Sequence, residues 1–283
     1  MAANSCGVEF RMKISARGVN YHLQVWNEHS TETIVLLHGF TGSVSTWNKV
    51  VSTLPTSLKV IAIDLIGHGK TDAPQDSKRY SMEEQIQDLK DIFEQLALSS
   101  FTLVGYSMGG RVALSYVCTY PKSVKTLILE SASPGLKTET ERIARRNADE
   151  ALAEKIESNG IESFVNSWEN ISLFESQKRL PTSIQLEIRD ERLSQRELGL
   201  ANSLRGMGTG AQKSYWDDLQ RLSIPVYLVT GELDQKFNLI AQEMKTLLQI
   251  ANHYHVNGVG HAIHVENPEQ FATIIKDIIY STN

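Results

Sequence analysis

A serine set among glycines between a strand and a helix constrains this chain more than any other feature. Gly105-Tyr106-Ser107-Met108-Gly109-Gly110 follows the apolar run 101–104 and opens a second apolar run, 112–118, which ends shortly before Pro121. The first run reads as a buried strand and the second as a helix stopped by the proline. A serine on so abrupt a turn holds strained backbone angles, and glycines flank it because a Cβ there would strike the adjoining strand and helix. The plain alternative, a glycine-rich turn with an incidental serine, does not account for a strand and a helix meeting at that point.

Elsewhere the first half alternates short β-branched runs with helical patterns, the mark of βαβ units and a mostly parallel sheet. Opening strands at 8–15 and 19–26 flank Ala16-Arg17-Gly18, a hairpin turn. Continuous apolar runs at 33–37, 59–63, 101–104, 124–129 and 225–229 fit strands covered on both faces. A helix is predicted over 79–98, with Ser81 and Glu84 as a capping box and Met82, Ile86, Leu89, Phe93 and Leu96 as one buried stripe. From 134 to 215 the pattern is charged and helical, with helices at 138–158, 161–168 and 182–205 and no strand. That segment reads as an all-helical cap over the carboxyl ends of the strands, inserted between core parts 1–133 and 216–283. The second core part adds a helix at 238–248, a strand at 253–256 and a last helix at 268–279.

Hydrophobic residues make up 41% and charged residues 22%, which fits a globular chain rather than a disordered one. No stretch approaches the roughly 20 apolar residues of a membrane span. The first seven residues lack the basic flank and apolar core of a signal peptide. A cytoplasmic protein without stable membrane insertion is therefore expected, as a monomer or weak homo-oligomer. Net charge is −5 with no Lys/Arg run, which argues against nucleic acid; an acidic chain that binds an anion must gather its arginines locally. Cys6 and Cys118 are too few and too far apart for a disulfide framework or a zinc site, and Cys118 falls in an apolar helical run as a small core residue.

A serine hydroxyl becomes reactive when a histidine takes its proton and a carboxylate orients that histidine. In strand-turn-helix sites of this kind the acid and then the histidine follow the serine along the chain. Asp234 stands in Gly231-Glu232-Leu233-Asp234 after a core strand, and His261 in the glycine-rich loop after the last strand. Glu232 is the rival acid, but its closeness to the strand suits a structural role. His253, His255, His261 and His264 cluster in sequence, yet no carboxylate or cysteine stands at ligand spacing, so no metal and no cofactor are expected. His264 could support the loop, whereas His22, His29 and His68 read as loop or surface residues. His38-Gly39-Phe40 follows the strand at 33–37, and the N–H groups of Phe40 and Met108 would form an oxyanion hole. Two such donors stabilise a tetrahedral oxyanion or an enolate alike, so they do not name the reaction. Asp64 to Gly69 forms a tight structural loop.

Arg111 lies one helical turn after Ser107, which puts its guanidinium at the pocket floor. A buried cation needs a partner, either a substrate carboxylate or an internal salt bridge, and position alone leaves both open.

These residues resemble the 2-succinyl-6-hydroxy-2,4-cyclohexadiene-1-carboxylate synthases, α/β-hydrolase-fold enzymes of menaquinone biosynthesis. The likeness is carried by Gly105 to Arg111, Leu37-His38-Gly39-Phe40-Thr41-Gly42, Ser133 to Leu136, Glu141 to Arg145, Gly199 to Gly210, Gly231 to Phe237 and Gly260 to Pro268. It covers all but about the first seven residues, cap included. The resemblance implies a lyase that removes pyruvate from an enolpyruvyl cyclohexene bearing three carboxylates, by 2,5-elimination, with Ser107, Asp234 and His261 as catalytic residues. By position it assigns anion binding to Arg111, Arg145 and Arg205, and pocket roles to Tyr106 and Trp168; otherwise Arg145 and Arg205 would be solvated cap residues. Two rival readings remain, a hydrolase of esters or carbon–carbon bonds with the same triad, and a ligand receptor that has lost turnover.

Overall fold

The computed structural model describes residues 9–281. Cys6 and the Val8 end of the first predicted strand lie outside the described residues. Eight strands form one sheet in the order β1-β2-β4-β3-β5-β6-β7-β8. They are β1 (Glu9–Ala16), β2 (Val19–Trp26), β3 (Glu32–Leu37), β4 (Leu58–Ile63), β5 (Phe101–Tyr106), β6 (Val124–Glu130), β7 (Val226–Gly231) and β8 (Ala251–Val256). β2 pairs antiparallel with both β1 and β4 and is joined to β1 by the expected hairpin at Arg17-Gly18; β3 to β8 are parallel. Every expected strand forms, with ends moved by one or two residues.

The chain leaves β3 for β4 on one side and then returns to place β5 on the other side of β3. The loops after β3 and β5 therefore diverge from adjacent strand ends, the crevice where open α/β sheets bind ligands. Alternate residues of each central strand serve opposite faces. Val35 and Leu37 of β3 join Phe101 and Leu103 of β5 in one apolar cluster; Ile34, Leu36, Val104 and Tyr106 join the other. Helices α1 (Asn48–Thr53), α2 (Met82–Gln95) and α3 (Met108–Thr119) connect the first strands. On α2 the predicted stripe is buried, Leu96 partly so. The capping box is only half formed. The Ser81 hydroxyl accepts from the Glu84 N–H (3.2 Å), while the Glu84 carboxylate is drawn instead to Arg17 and Arg79.

Between β6 and β7 lie α4 (Glu139–Trp168), α5 (Thr182–Leu193) and α6 (Glu197–Met207). The helices expected at 138–158 and 161–168 form as two segments of α4, broken where expected by Gly160 (φ 80°, ψ 169°), where the Ile161 N–H donates to Glu197. The helix expected over 182–205 is instead two, α5 and α6, separated at 194–196. Ala153, Ile156, Phe164 and Val165 of α4 pack on Leu200, Ala201 and Leu204 of α6 in a small core of their own. After β7 come α7 (Gln235–Leu247), then α8 (Ile263–Glu266) and α9 (Pro268–Ser281) beyond β8. Among the described residues no helix is long and apolar enough to cross a membrane.

Two histidines read as loop or surface residues are buried. His22 sits on β2 against Asp64 (2.9 Å), and His68 is enclosed in the loop after β4. The same loop seats α6, since a Cβ on Gly199 would collide with the Gly67 backbone. Gly199→Ala is expected to lower stability by about 1–3 kcal/mol, the usual range for overpacking, as read by thermal unfolding.

Candidate active site

Ser107 occupies the junction of β5 and α3 with φ 50° and ψ −106°, a conformation unfavourable for any residue bearing a Cβ. Its surroundings hold it there. The Ser107 N–H donates to the Glu130 carbonyl at the end of β6 (2.9 Å), and the Arg111 N–H closes the first helical turn on the Ser107 carbonyl (3.0 Å). A Cβ on Gly105 would strike the Gly109 carbonyl, and one on Gly109 would strike the Leu37 and His38 carbonyls. The glycines thus let β5, α3 and the loop after β3 approach closely enough to force the turn.

His261 reaches the serine from the loop after β8, with Nε2 3.0 Å from Ser107 Oγ and Nδ1 2.6 Å from Asp234 Oδ2. Asp234 is the N-cap of α7, its other oxygen accepting from the Phe237 N–H (3.3 Å), so one carboxylate both caps the helix and faces the imidazole. The rival Glu232 is exposed and accepts from the Gly258 N–H (2.8 Å). The other histidines of the sequence cluster are engaged elsewhere: His253 with Thr230, His255 with Asn238, and His264 with Glu130 (2.9 Å) and Thr46 (3.0 Å).

The loop after β3 turns back sharply, the Gly42 N–H donating to the Gly39 carbonyl, with Thr41 at φ 69°. His38 braces it. Its Nε2 accepts from the Leu65 N–H (3.0 Å), which leaves Nδ1 to donate to the Gly39 carbonyl (2.8 Å). Among the described residues, the N–H groups of Phe40 and Met108 have no hydrogen-bond acceptor in the protein. Both residues line the cavity that Ser107 and His261 open into, so two free donors stand beside the serine.

That cavity holds about 200 Å³ and is roofed by residues of the 134–215 segment. Tyr106 packs its ring against His261 and His264 (centroids 5.4 and 4.5 Å). Trp168 stands edge-on to Phe40 (5.5 Å), its indole N–H buried and unpartnered. Arg111 is buried in the cavity wall, its Nη1 donating to the Met207 carbonyl (2.8 Å) and to Gln212 Oε1 (2.7 Å). It has no carboxylate partner among the described residues. Burial, and secondarily the charge of Arg145, pushes its pKa down to about 10. The guanidinium stays protonated at neutral pH, oriented but not neutralised.

The residues 32–268 match the model of the alpha/beta hydrolase fold family. A Bacillus subtilis (strain 168) protein, provisionally named a 2-succinyl-6-hydroxy-2,4-cyclohexadiene-1-carboxylate synthase, is 47% identical over 93% of this chain and 96% of its own. An Enterobacter sp. (strain 638) protein of the same synthase name is 29% identical over 87% of this chain and 91% of its own. The solved structure of MenH from S. aureus superposes with a TM-score of 0.88 at 37% identity, covering 92% of this chain and 98% of that one. This chain belongs to the 2-succinyl-6-hydroxy-2,4-cyclohexadiene-1-carboxylate synthase family. An enol-lactonase from Burkholderia xenovorans LB400, with a TM-score of 0.82 at 16% identity, shares the fold.

Within this synthase frame, the three arginines expected around the substrate divide. Arg111 lines the cavity; Arg145 also lines it, half-exposed and paired with Asp149 (2.7 Å). Arg205 does not line it. Its guanidinium is held by Glu150 and Glu157 of α4, whose hydrogen bonds, Glu157 first, raise its pKa further above the usual arginine value. The reason is helical phase: Leu200, Ala201 and Leu204 of α6 turn toward the small core, and Arg205 emerges beside the acidic face of α4. The cation that sequence reasoning missed is Arg192. It is buried, its guanidinium lies over the Phe174 ring (4.6 Å), and it donates to Gln177 Oε1 (3.0 Å) with no carboxylate in contact. It lines a small cleft sharing Phe40, Tyr106 and Phe174 with the cavity. Charged neighbours in sequence, from Arg189 to Arg196, hid it; a helical wheel of 182–193 alone could not say which arginine turns inward.

Burial lowers the pKa of His38 and takes that of His68 down to about 3. In the unfolded chain both titrate near 6.5, so below that pH the unfolded state binds protons that the folded state refuses. Their stabilisation is complete above about pH 6.5 and declines as the pH falls toward the folded values. For His68 the slope approaches about 1.4 kcal/mol per pH unit in that window. Urea titrations between pH 7 and 5 are expected to show a slope shallower by that amount in His68→Gln.

Proposed function

We propose that this chain is a lyase that eliminates pyruvate from 2-succinyl-5-enolpyruvyl-6-hydroxy-3-cyclohexene-1-carboxylate. The product is 2-succinyl-6-hydroxy-2,4-cyclohexadiene-1-carboxylate, on the route to menaquinone. The observation that carries the substrate class is the pair of buried guanidiniums, Arg111 and Arg192, neither touching a carboxylate of the protein. Burying an unpaired cation costs several kcal/mol, and a substrate bearing several carboxylates would offset that cost on binding. Arg145, at the cavity edge, could take a third carboxylate by sharing Asp149.

In the proposed reaction His261, oriented by Asp234, takes the Ser107 proton, and the serine oxygen removes the ring proton alpha to the succinyl ketone. The electron pair moves onto the ketone oxygen, where the Phe40 and Met108 N–H groups hold the enolate. Collapse of the enolate shifts the pair through the ring double bond and breaks the bond to the enolpyruvyl oxygen. Pyruvate leaves as its enolate, and the abstracted proton, carried on the Ser107–His261 pair, returns to it. Bidentate arginine contacts would fix the acidic C–H against the serine. Tyr106 and Trp168 would shape the wall, the free indole N–H offering one more donor. The helices of 134–215 act as a cap that excludes water, between core parts 1–133 and 216–283. The chain works as a monomer or weak homo-oligomer in the cytoplasm, without nucleic acid, on a small tricarboxylate.

A hydrolytic reading has one observation in its favour: a serine 3.0 Å from Nε2 suits attack on an ester as well as proton abstraction. Pyruvate release from the enolpyruvyl substrate, set against cleavage of a small neutral ester, separates the two. The lyase reading expects pyruvate without an accumulating acyl-enzyme. Ser107→Ala is expected to lower kcat by at least about 100-fold, and Arg111→Ala to lower kcat/KM by about 10- to 150-fold, mostly through KM. Ester turnover with no pyruvate would reverse the assignment.

A further inference from the structure

Among the described residues two arginines are fully enclosed, and both are held in the same unusual way. Arg111 donates to Gln212 Oε1 (2.7 Å) and Arg192 to Gln177 Oε1 (3.0 Å), and both glutamines are themselves buried. Three arginines of this region nearer solvent are instead paired with carboxylates, Arg145 with Asp149, Arg189 with Glu169, and Arg205 with Glu150 and Glu157, while exposed Arg196 donates to backbone carbonyls. The acids closest to the enclosed pair are committed elsewhere. Asp149 bonds Arg145 through Oδ1, while its buried Oδ2 acts on Arg111 through charge without a hydrogen bond; Glu169 bonds Arg189, and Glu191 accepts from the Ser43 and Ser45 hydroxyls (2.6 and 2.8 Å). A glutamine carbonyl accepts the same hydrogen bond as a glutamate oxygen, in the same place, but leaves the guanidinium charge uncancelled.

We infer that Gln212 and Gln177 are specificity-determining positioning residues: they orient Arg111 and Arg192 through neutral carbonyls, and so reserve both positive charges for a multiply charged anionic ligand. The inference deepens the reading of the site as one for a polycarboxylate, and rests on it. Glutamate, nearly identical in shape, would complete a buried ion pair at either position and turn each arginine from a ligand site into a structural group. Stability and binding should then move in opposite directions, which a purely packing role for the glutamines would not produce.

The test uses Gln212→Glu and Gln177→Glu in the full chain, with three readouts: thermal midpoint, KM and kcat for pyruvate release, and calorimetric binding of propane-1,2,3-tricarboxylate as a probe independent of turnover. Each variant is expected to melt at or above the wild-type temperature. KM should rise about tenfold or more, as for loss of one charge-assisted contact, with kcat within about threefold of wild type, and probe binding should weaken in parallel. Loss of probe binding in the variants, with the wild type binding it, supports the inference even if the wild type releases no pyruvate. If the wild type releases pyruvate and the variants keep its KM and probe affinity, the inference fails while the lyase reading stands. A variant that cannot fold overturns it too, because the buried ion pair would then not have formed. A wild type that neither binds the probe nor turns over removes both.

Discussion

The strained turn at Ser107 is the constraint to which the rest of the site is referenced. A left-handed φ at a residue with a Cβ persists only where its neighbours leave the backbone no easier path. Here those neighbours are glycine contacts among β5, α3 and the loop after β3, and a hydrogen bond to the Glu130 carbonyl. Glu130 does a second thing from the same residue. Its buried carboxylate accepts both the backbone N–H and the Nδ1–H of His264, three residues beyond His261. The carboxyl end of β6 therefore anchors the serine with its main chain and the histidine loop with its side chain. Together with the Asp234 bond to the imidazole, these two anchors hold Ser107 and His261 at 3.0 Å.

Electrostatics supplies what that machinery alone lacks, a preference for a ligand. The chain is acidic overall, at −5, yet near the serine it buries two guanidiniums in the walls of the cavity and its neighbouring cleft. Desolvation depresses the pKa of both Arg111 and Arg192, the thermodynamic trace of cations held without adequate compensation. Such a site is stabilised by whatever anion completes it. In the proposed reaction the same groups that select the substrate also hold it rigidly against the base.

The fold does not carry this preference. A lactonase of low identity superposes with a TM-score of 0.82 on the same sheet and connections. In this chain the groups gathered over the strand ends are Arg111, one turn into α3, and Arg145, Trp168 and Arg192 from the helices between β6 and β7. Function is set by side chains grafted onto a frame that tolerates many chemistries.

Local sequence was sufficient wherever a short stretch carries its own physical requirement. The five central strands β3 to β7 were readable as apolar runs, because a covered parallel strand must be apolar on both faces. The serine turn was readable because only glycine tolerates the contacts at 105 and 109. Asp234 and His261 followed from where their loops leave the strands. Tertiary structure decided the rest, for reasons of geometry between segments. Gly160 interrupts α4 where the sequence placed a break, but only the packed chain supplies Glu197, distant in sequence, to satisfy the freed N–H of Ile161. Glu84 gives up its half of a capping box to nearby Arg79 and to Arg17, brought in from the β1–β2 hairpin. Above all, which arginines of residues 134–215 face the cavity depends on helical phase and packing, and sequence alone cannot orient a polar helix. Arg205 turns to the glutamates of α4, Arg192 turns inward, and only the packed chain distinguishes them.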